Sequence, residues 1–227
     1  MTEEEWLAGE GTFEDVLYNS HWPVSDRKLR LFVCACVRLA WGLLVDDRCR
    51  RAVEAAEWFA DGRLPEELLD HAWAGAWEVG NLRVGGPADA AAALVARRSL
   101  THDHVRRAAR LVRVCLVEES ERRAERGLGE AVSLARARAV QESLFRCLLG
   151  DPTRPVNLRP DWLAWNGGFV VRMAEAIYEE RRFAELPVLA DALEDAGCDD
   201  EALLAHCRDG GPHARGCWAV DAVLGLG

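Results

Sequence analysis

Apolar residues recur at every third or fourth position through almost the whole chain, which is the spacing of one face of an α-helix. No segment shows the strict apolar/polar alternation of a half-buried strand bounded by turn residues. The pattern therefore predicts an all-α fold, a compact multi-helix bundle of about nine to ten helices with short connections.

The most apolar segment, "SDRKLRLFVCACVRLAWGLLV", is hydrophobic on nearly every face and is predicted to be the central helix of the core, with Ser25 as its N-cap. A long amphipathic segment runs from about residue 128 to 149 and closes at Gly150. Shorter helices follow: one around 169–182, one from Pro187, one over 200–208 and a last one that begins at Pro212.

The stretch "DPTRPVNLRPDW" has three prolines in ten residues and is the best candidate for a boundary. We therefore expect an N-terminal helical bundle over 1–150 and a C-terminal helical subdomain over 151–227, packed together as one structural unit. The last short helices are alternatively read as one HEAT-like layer.

Composition narrows the class of protein. Half of the 227 residues are hydrophobic, 29% are charged and the net charge is -10. The negative charge argues against a protein whose whole surface binds the phosphate backbone of a nucleic acid. The N-terminus is acidic rather than basic and apolar, and the longest apolar run carries Arg30 and Arg38 and is too short for a bilayer. We expect a cytoplasmic protein with no membrane segment, in which the eight cysteines are reduced thiols.

The end of the chain, "AGCDDEALLAHCRDGGPHARGCWAVD", concentrates cysteine and histidine. Cys198 and Cys207 lie at opposite ends of a predicted helix, too far apart for one ion. His213 and Cys217 are four apart, and either Cys207 or His206 completes a set with them. The candidate zinc site is Cys207, His213 and Cys217, although its spacing is not a standard zinc pattern and the alternative is that the thiols only fill the core.

Two groups of basic residues are candidate binding surfaces. Arg208, His213 and Arg215 stand around the predicted helix start at "GGPHARG", where free backbone amides favour an anion. Arg106, Arg110 and Arg113 share one face of a predicted helix and form a stripe that nucleic acid would use. The acidic run that follows them instead indicates a solvated face of ion pairs.

Trp162 and Trp165, two of the nine tryptophans, follow the proline-rich stretch. If these two side chains are exposed, they form a protein interface. If they are buried, they pack the C-terminal helices onto the N-terminal bundle. No catalytic motif with its required spacing is present. The sequence therefore predicts a non-enzymatic binding or adaptor protein with a protein partner, the alternatives being a zinc-binding protein with a C-terminal Cys/His site and a nucleic-acid accessory protein.

Three stretches together resemble an uncharacterised family of paralogous proteins in planctomycete bacteria: "MTEEEWLAG", "SDRKLRLFVCACVRLAW" with "DDRCRRAVEAAEWFADG", and "LPVLADALEDAGCDDEALLAHCRDGGPHARGCWAVDAVLG". The resemblance extends over nearly the whole chain and is least distinctive around 85–130. It implies a bacterial, cytoplasmic protein. No reaction is assigned to that family, so the resemblance transfers no catalytic residue.

Overall fold

Helices make up the regular structure of the part of the chain that the computed structural model describes, namely residues 5–6, 8, 11–18, 24–81, 85–151, 154 and 156–226. The predicted all-α class is confirmed. Among the described residues, eleven α-helices have both ends defined. They are α1 (Phe13–Tyr18), α2 (Asp26–Leu39), α3 (Asp47–Ala60), α4 (Glu66–Asn81), α5 (Pro87–Val95), α6 (His102–Glu125), α7 (Leu134–Leu149), α8 (Pro160–Glu180), α9 (Leu186–Asp195), α10 (Glu201–Arg208) and α11 (Trp218–Leu224).

The chain divides into two compact units after Phe145, within α7 and a few residues before the boundary that the prolines predict. In the first unit, α2 packs against α3, α5 and α6, and α4 packs against α3 and α5. The central position of α2 follows from its composition, because nine of its residues are buried.

The two arginines that interrupt the apolar run of α2 are satisfied inside the first unit. The buried guanidinium of Arg30 donates to the backbone oxygens of Val95, the last residue of α5, and of Arg97 and Arg98, which follow it. Arg38 forms a two-pronged ion pair with Glu57 at 2.6 and 2.7 Å. Their charges therefore orient α2 against its neighbours while the rest of the helix stays apolar.

In the second unit, α9 packs between α8 and α10, and α11 packs against α8 and α10. The backbone leaves the helical region at 165–168, so the sequence "WNGG" interrupts α8. A short 3-10 helix, Phe183–Glu185, connects α8 to α9.

The last helix begins at Trp218 rather than at Pro212, the position that the sequence predicts. Gly216 has a φ of +88°, and this left-handed residue prevents a helix from running through 212–217. The segment between α10 and α11 is therefore a loop, and His213 and Cys217 do not share a helical face.

No helix in the described ranges combines the length and the apolar character needed to cross a bilayer.

Candidate metal centre

Four side chains of the second unit converge at one point: Cys147, His206, His213 and Cys217. Each contributes one ligand atom, and these four atoms all lie within 4.8 Å of one another. Nδ1 of His213 is 3.4 Å from Sγ of Cys147, and Nε2 of His206 is 3.2 Å from Sγ of Cys217. Within the described part of the chain, this is the one group of three or more metal-ligating side chains with such spacing.

Three separate elements bring the four side chains together. Cys147 lies in the last turn of α7, His206 lies near the end of α10, and the loop before α11 supplies His213 and Cys217. The side chain of Asp200 caps α10 by accepting a hydrogen bond from the backbone N–H of Leu203. This cap fixes the start of α10, the helix that carries His206.

Gly150 closes α7 and lets the chain approach the site. Its φ of +66° is a left-handed conformation, and a Cβ atom at this position would lie 2.7 Å from Cγ of Trp218. The indole of Trp218 packs in turn on the ring of His206, with 4.9 Å between the ring centroids. The glycine therefore allows the tryptophan to support one of the four ligands.

The sulfurs are buried and the imidazoles are half-buried. Cys147 is 3% exposed and Cys217 is fully buried. The two imidazole rings make an edge contact, with planes at 88° to each other and centroids 4.9 Å apart.

The hydrogen bonds at the centre change the acidity of its groups. Burial alone would raise the pKa of Cys217, but its contacts with Cys147, His206 and His213 hold that pKa well below the ordinary thiol value. Burial alone would lower the pKa of His213, yet its bonds to Cys217 and to the Asp209 carbonyl raise it. Three donors thus surround one sulfur, and a cation placed among them would replace their protons.

His213 also has an outer partner. Its Nε2 lies 3.0 Å from the backbone oxygen of Asp209, which leaves Nδ1 for the centre. A ligating histidine usually donates its second ring N–H to a carbonyl or carboxylate, which fixes the tautomer and the direction of the ring.

Of the zinc candidates from the sequence, His213 and Cys217 belong to this group, and Cys207 does not. Its neighbour His206 is the member that α10 contributes. Cys207 is fully buried, and burial raises its pKa to about 12. It is a core thiol beside the site rather than a ligand of it.

Cys147 is the member that the sequence analysis missed. It lies 66 positions before His213 and has no histidine or cysteine near it along the chain. The feature of the sequence that could have pointed to Cys147 was its position three residues before Gly150, at the end of an amphipathic helix.

The residues of the predicted anion site have other partners. Arg208 is paired with Asp191 and Glu194 at 2.9 and 2.6 Å. Arg215 is buried, contacts Glu179 at 3.1 Å and lies over the ring of Tyr178. His213 belongs to the Cys/His group, and no helix starts at 212, so the three residues do not form a common anion site.

The predicted arginine stripe is only partly on the surface. Arg106 pairs with Asp103 and lies over the ring of Tyr18. Arg113 points inward, with 12% of its side chain exposed, and binds Glu14 and Gln141. Arg110 is exposed. Two of the three arginines therefore have acidic partners, Asp103 and Glu14, which both precede the stripe in the sequence and do not belong to the acidic run that follows it.

The two tryptophans of the predicted protein interface differ in exposure. Trp162 is 4% exposed and belongs to the core of the second unit, with Arg159 over its ring. Trp165 is half-buried and makes an edge contact with Phe169. A surface made of both indoles is therefore absent from the described structure.

The chemistry of the Cys/His group has to be inferred from its own ligands. No protein-family model, curated protein or solved structure matches this chain.

Proposed function

We propose that this is a zinc-binding helical protein, in which one ion held by Cys147, His206, His213 and Cys217 stabilises the C-terminal unit. The observation that carries the proposal is the meeting of four ligand atoms within 4.8 Å, contributed by three separate elements. A tetrahedral zinc ion with ordinary Zn–S and Zn–N lengths separates its ligands by about 3.3 to 3.8 Å. The nitrogen–sulfur contacts at 3.2 and 3.4 Å are already close to this separation, and the other ligand pairs, all within 4.8 Å, need to approach by no more than about 1.5 Å.

The ligand types favour zinc over other common metals. Two sulfurs and two imidazole nitrogens form a Cys₂His₂ set, which suits zinc and excludes calcium and magnesium, since those ions prefer oxygen. The hydrogen bond from His213 to the Asp209 carbonyl provides the outer contact expected of a zinc-bound histidine.

The number of ligands favours a structural role over a catalytic one. A catalytic zinc keeps a position open for water, whereas four protein ligands leave none. Both sulfurs are buried, so the protein supplies the whole environment of the ion. No step of a reaction is assigned to this centre.

A structural ion is useful here because the second unit is small and its last helices are short: α10 has 8 residues and α11 has 7. Helices of that length are unstable alone and depend on tertiary contacts. An ion that joins α7, α10 and the loop before α11 supplies such a contact. We also propose that the zinc-stabilised unit acts as an adaptor that binds a protein partner. An ion with four protein ligands has no open position for a substrate, so it favours a binding role over a catalytic one.

The metal content of the purified full-length chain tests the proposal. We expect one tightly bound zinc ion per chain by inductively coupled plasma mass spectrometry after dialysis against metal-free buffer. Replacement by cobalt should give the visible absorption of a tetrahedral ion and the near-ultraviolet bands of two thiolate ligands. Protein that contains no zinc and takes up neither zinc nor cobalt would overturn the proposal.

A further inference from the structure

The two sulfurs of the Cys/His group are close neighbours in space, although in the sequence Cys147 lies near the start of the second unit and Cys217 near its end. Their Sγ atoms lie within 4.8 Å of each other. A disulfide requires about 2.05 Å between its sulfurs, so the two atoms would have to approach by no more than about 2.8 Å to bond. Cys147 and Cys217, which both belong to the candidate metal site, are therefore also close enough to be candidates for a disulfide.

A cleft opens on the surface of the second unit beside one member of the Cys/His group, His213. It has a volume of about 440 Å³ and lies between the 3-10 helix at 183–185, Pro187 and the loop 208–213. His213 forms part of its wall, and the Nδ1 atom of that ring is 3.4 Å from Sγ of Cys147. A small molecule in the cleft therefore contacts the imidazole that is itself in contact with Cys147.

We propose that Cys147 and Cys217 are an oxidation site at which a peroxide converts the zinc-bound thiolates into a disulfide and releases the ion. This inference rests on the proposed zinc function. The Cys147 thiolate attacks one peroxide oxygen, the O–O bond breaks, and a sulfenic acid and a hydroxide form. The Cys217 thiolate then displaces the second hydroxide and forms the S–S bond.

The electrons and protons balance without another reactant. The two sulfurs together lose two electrons, the peroxide gains them, and two protons from solvent turn the two hydroxides into water. The zinc ion leaves because it has lost both thiolates and retains only His206 and His213. A dithiol reductant reverses the change by thiol–disulfide exchange and regenerates both ligands.

The other cysteines are poorly suited to the reaction. Six cysteines lie outside the Cys/His group: Cys34, Cys36, Cys49, Cys115, Cys198 and Cys207. Burial raises the pKa of Cys49 to about 12 and that of Cys115 to about 11, and it also raises the pKa of Cys36 and Cys198. A protonated buried thiol is a weak nucleophile, so oxidation should select the pair at the metal centre.

The test uses full-length protein whose zinc content has first been measured. Hydrogen peroxide is added in the presence of a chromogenic zinc indicator, and the products are mapped by non-reducing peptide mass spectrometry. We expect one zinc ion released for every two thiols lost, a linkage between the peptides of Cys147 and Cys217, and rebinding of zinc after dithiothreitol. The matched control, Cys198→Ala, removes a thiol of the same unit outside the site and should behave like the wild type.

The outcomes separate this inference from the zinc proposal. Protein that contains no zinc at the start and takes up neither zinc nor cobalt overturns both. Bound zinc that stays bound while the thiols remain reduced overturns the oxidation site alone. Zinc release with a linkage from Cys207, or with sulfinic acids and no disulfide, also overturns it. The peptide map of the wild type decides among these results, so no variant that loses the ion is needed.

Discussion

Nδ1 of His213 lies 3.4 Å from Sγ of Cys147, a residue 66 positions earlier in the chain. The contact joins the last turn of α7 to the loop that precedes α11. On the other side of the group, His206 and Cys217 make the corresponding contact at 3.2 Å. The centre is therefore two nitrogen–sulfur pairs that tie together distant parts of one unit, and its removal should affect stability as well as metal content.

Replacing Cys147 by alanine should abolish tight zinc binding. The variant keeps two histidines and one cysteine, and one lost ligand typically costs much of the affinity of a site in which every position comes from the protein. The measurement is zinc per chain after dialysis, together with the cobalt spectrum, in which one thiolate should be absent.

The matched control for that experiment is Cys207→Ala. Cys207 is fully buried and is not a member of the group, so its loss should leave one zinc ion bound while lowering stability by about 1 to 2 kcal/mol through lost packing. If instead Cys207→Ala lost the ion and Cys147→Ala retained it, the ligand set in the structure would be wrong.

Removing zinc from the wild type should loosen the second unit. A ligand that binds only the folded state stabilises it by about 2.7 kcal/mol at a concentration 100 times its dissociation constant. We expect a chelator to lower the melting temperature and to increase amide exchange in α10, α11 and the loop between them. Peptides from α2 to α6 in the first unit serve as the internal reference. Unchanged exchange around His206 and Cys217 after verified zinc loss would contradict a stabilising role.

The sequence was sufficient for the class of fold because helical spacing is local. The N-cap at Ser25 and the glycine at the end of α7 are visible in the residues themselves, and the structure has both where expected. The start of α11 was predicted too early because Pro212 is a favourable first residue. The positive φ of Gly216, which stops the helix, depends on the packing of the whole loop.

Only those members of the Cys/His group that are close together in the sequence could be predicted. His213 and Cys217 are close in sequence, and the rule that neighbouring helical residues face different directions left His206 or Cys207 as the third member. Which of the two faces the group depends on how α10 packs, and that is not encoded in spacing. Cys147 enters through a tertiary contact over 66 positions, for which the sequence contains no periodic signal.

Replacing the buried Arg30 of the first unit should be strongly destabilising. Its guanidinium binds three backbone oxygens at the C-terminal end of α5 and just beyond it, at 2.7 to 3.0 Å, and its burial lowers its pKa without removing its charge. In Arg30→Met these carbonyls lose their donor, and we expect a loss of about 3 kcal/mol in urea unfolding. Arg30→Lys should lose less, because one ammonium reaches some of the oxygens. Equal stability of Arg30→Met and wild type would contradict this capping role.

Gly150→Ala should weaken the zinc site without touching a ligand. The new Cβ must displace Trp218, whose ring supports His206. The left-handed φ adds a backbone cost of about 1 kcal/mol. The control is Gly197→Ala in the same unit, where φ is +86° and nothing lies within 4 Å of the added atom. Both variants should lose stability, but only Gly150→Ala should release zinc at a lower chelator concentration.

Glu142 should make stability depend on pH in an unusual direction for a carboxylate. Its Oε2 accepts a hydrogen bond from the backbone N–H of Phe13 at 2.7 Å, which joins α7 to α1 within the first unit. Burial raises its pKa above the ordinary value, and the nearby Glu14 carboxylate acts in the same direction, although the Phe13 N–H and Arg138 oppose them. The folded protein therefore holds the Glu142 proton more tightly than the unfolded chain does.

The sign of the effect follows from that difference. The stabilisation is complete below the unfolded pKa of about 4.5 and is lost as the pH rises through the higher folded pKa. Glu142→Gln keeps an oxygen for Phe13 but has no charge to bury, so at neutral pH it should be as stable as wild type or up to about 1 kcal/mol more stable. The advantage should shrink as the pH falls, because wild-type Glu142 then becomes neutral as well.

Glu142→Ala, the control, removes the acceptor of the Phe13 N–H and should be less stable at every pH. Urea unfolding of the three proteins at neutral and acidic pH distinguishes the effect of burying the charge from the loss of the hydrogen bond. A glutamine variant as unstable as the alanine variant would show that the charge of Glu142 itself is required.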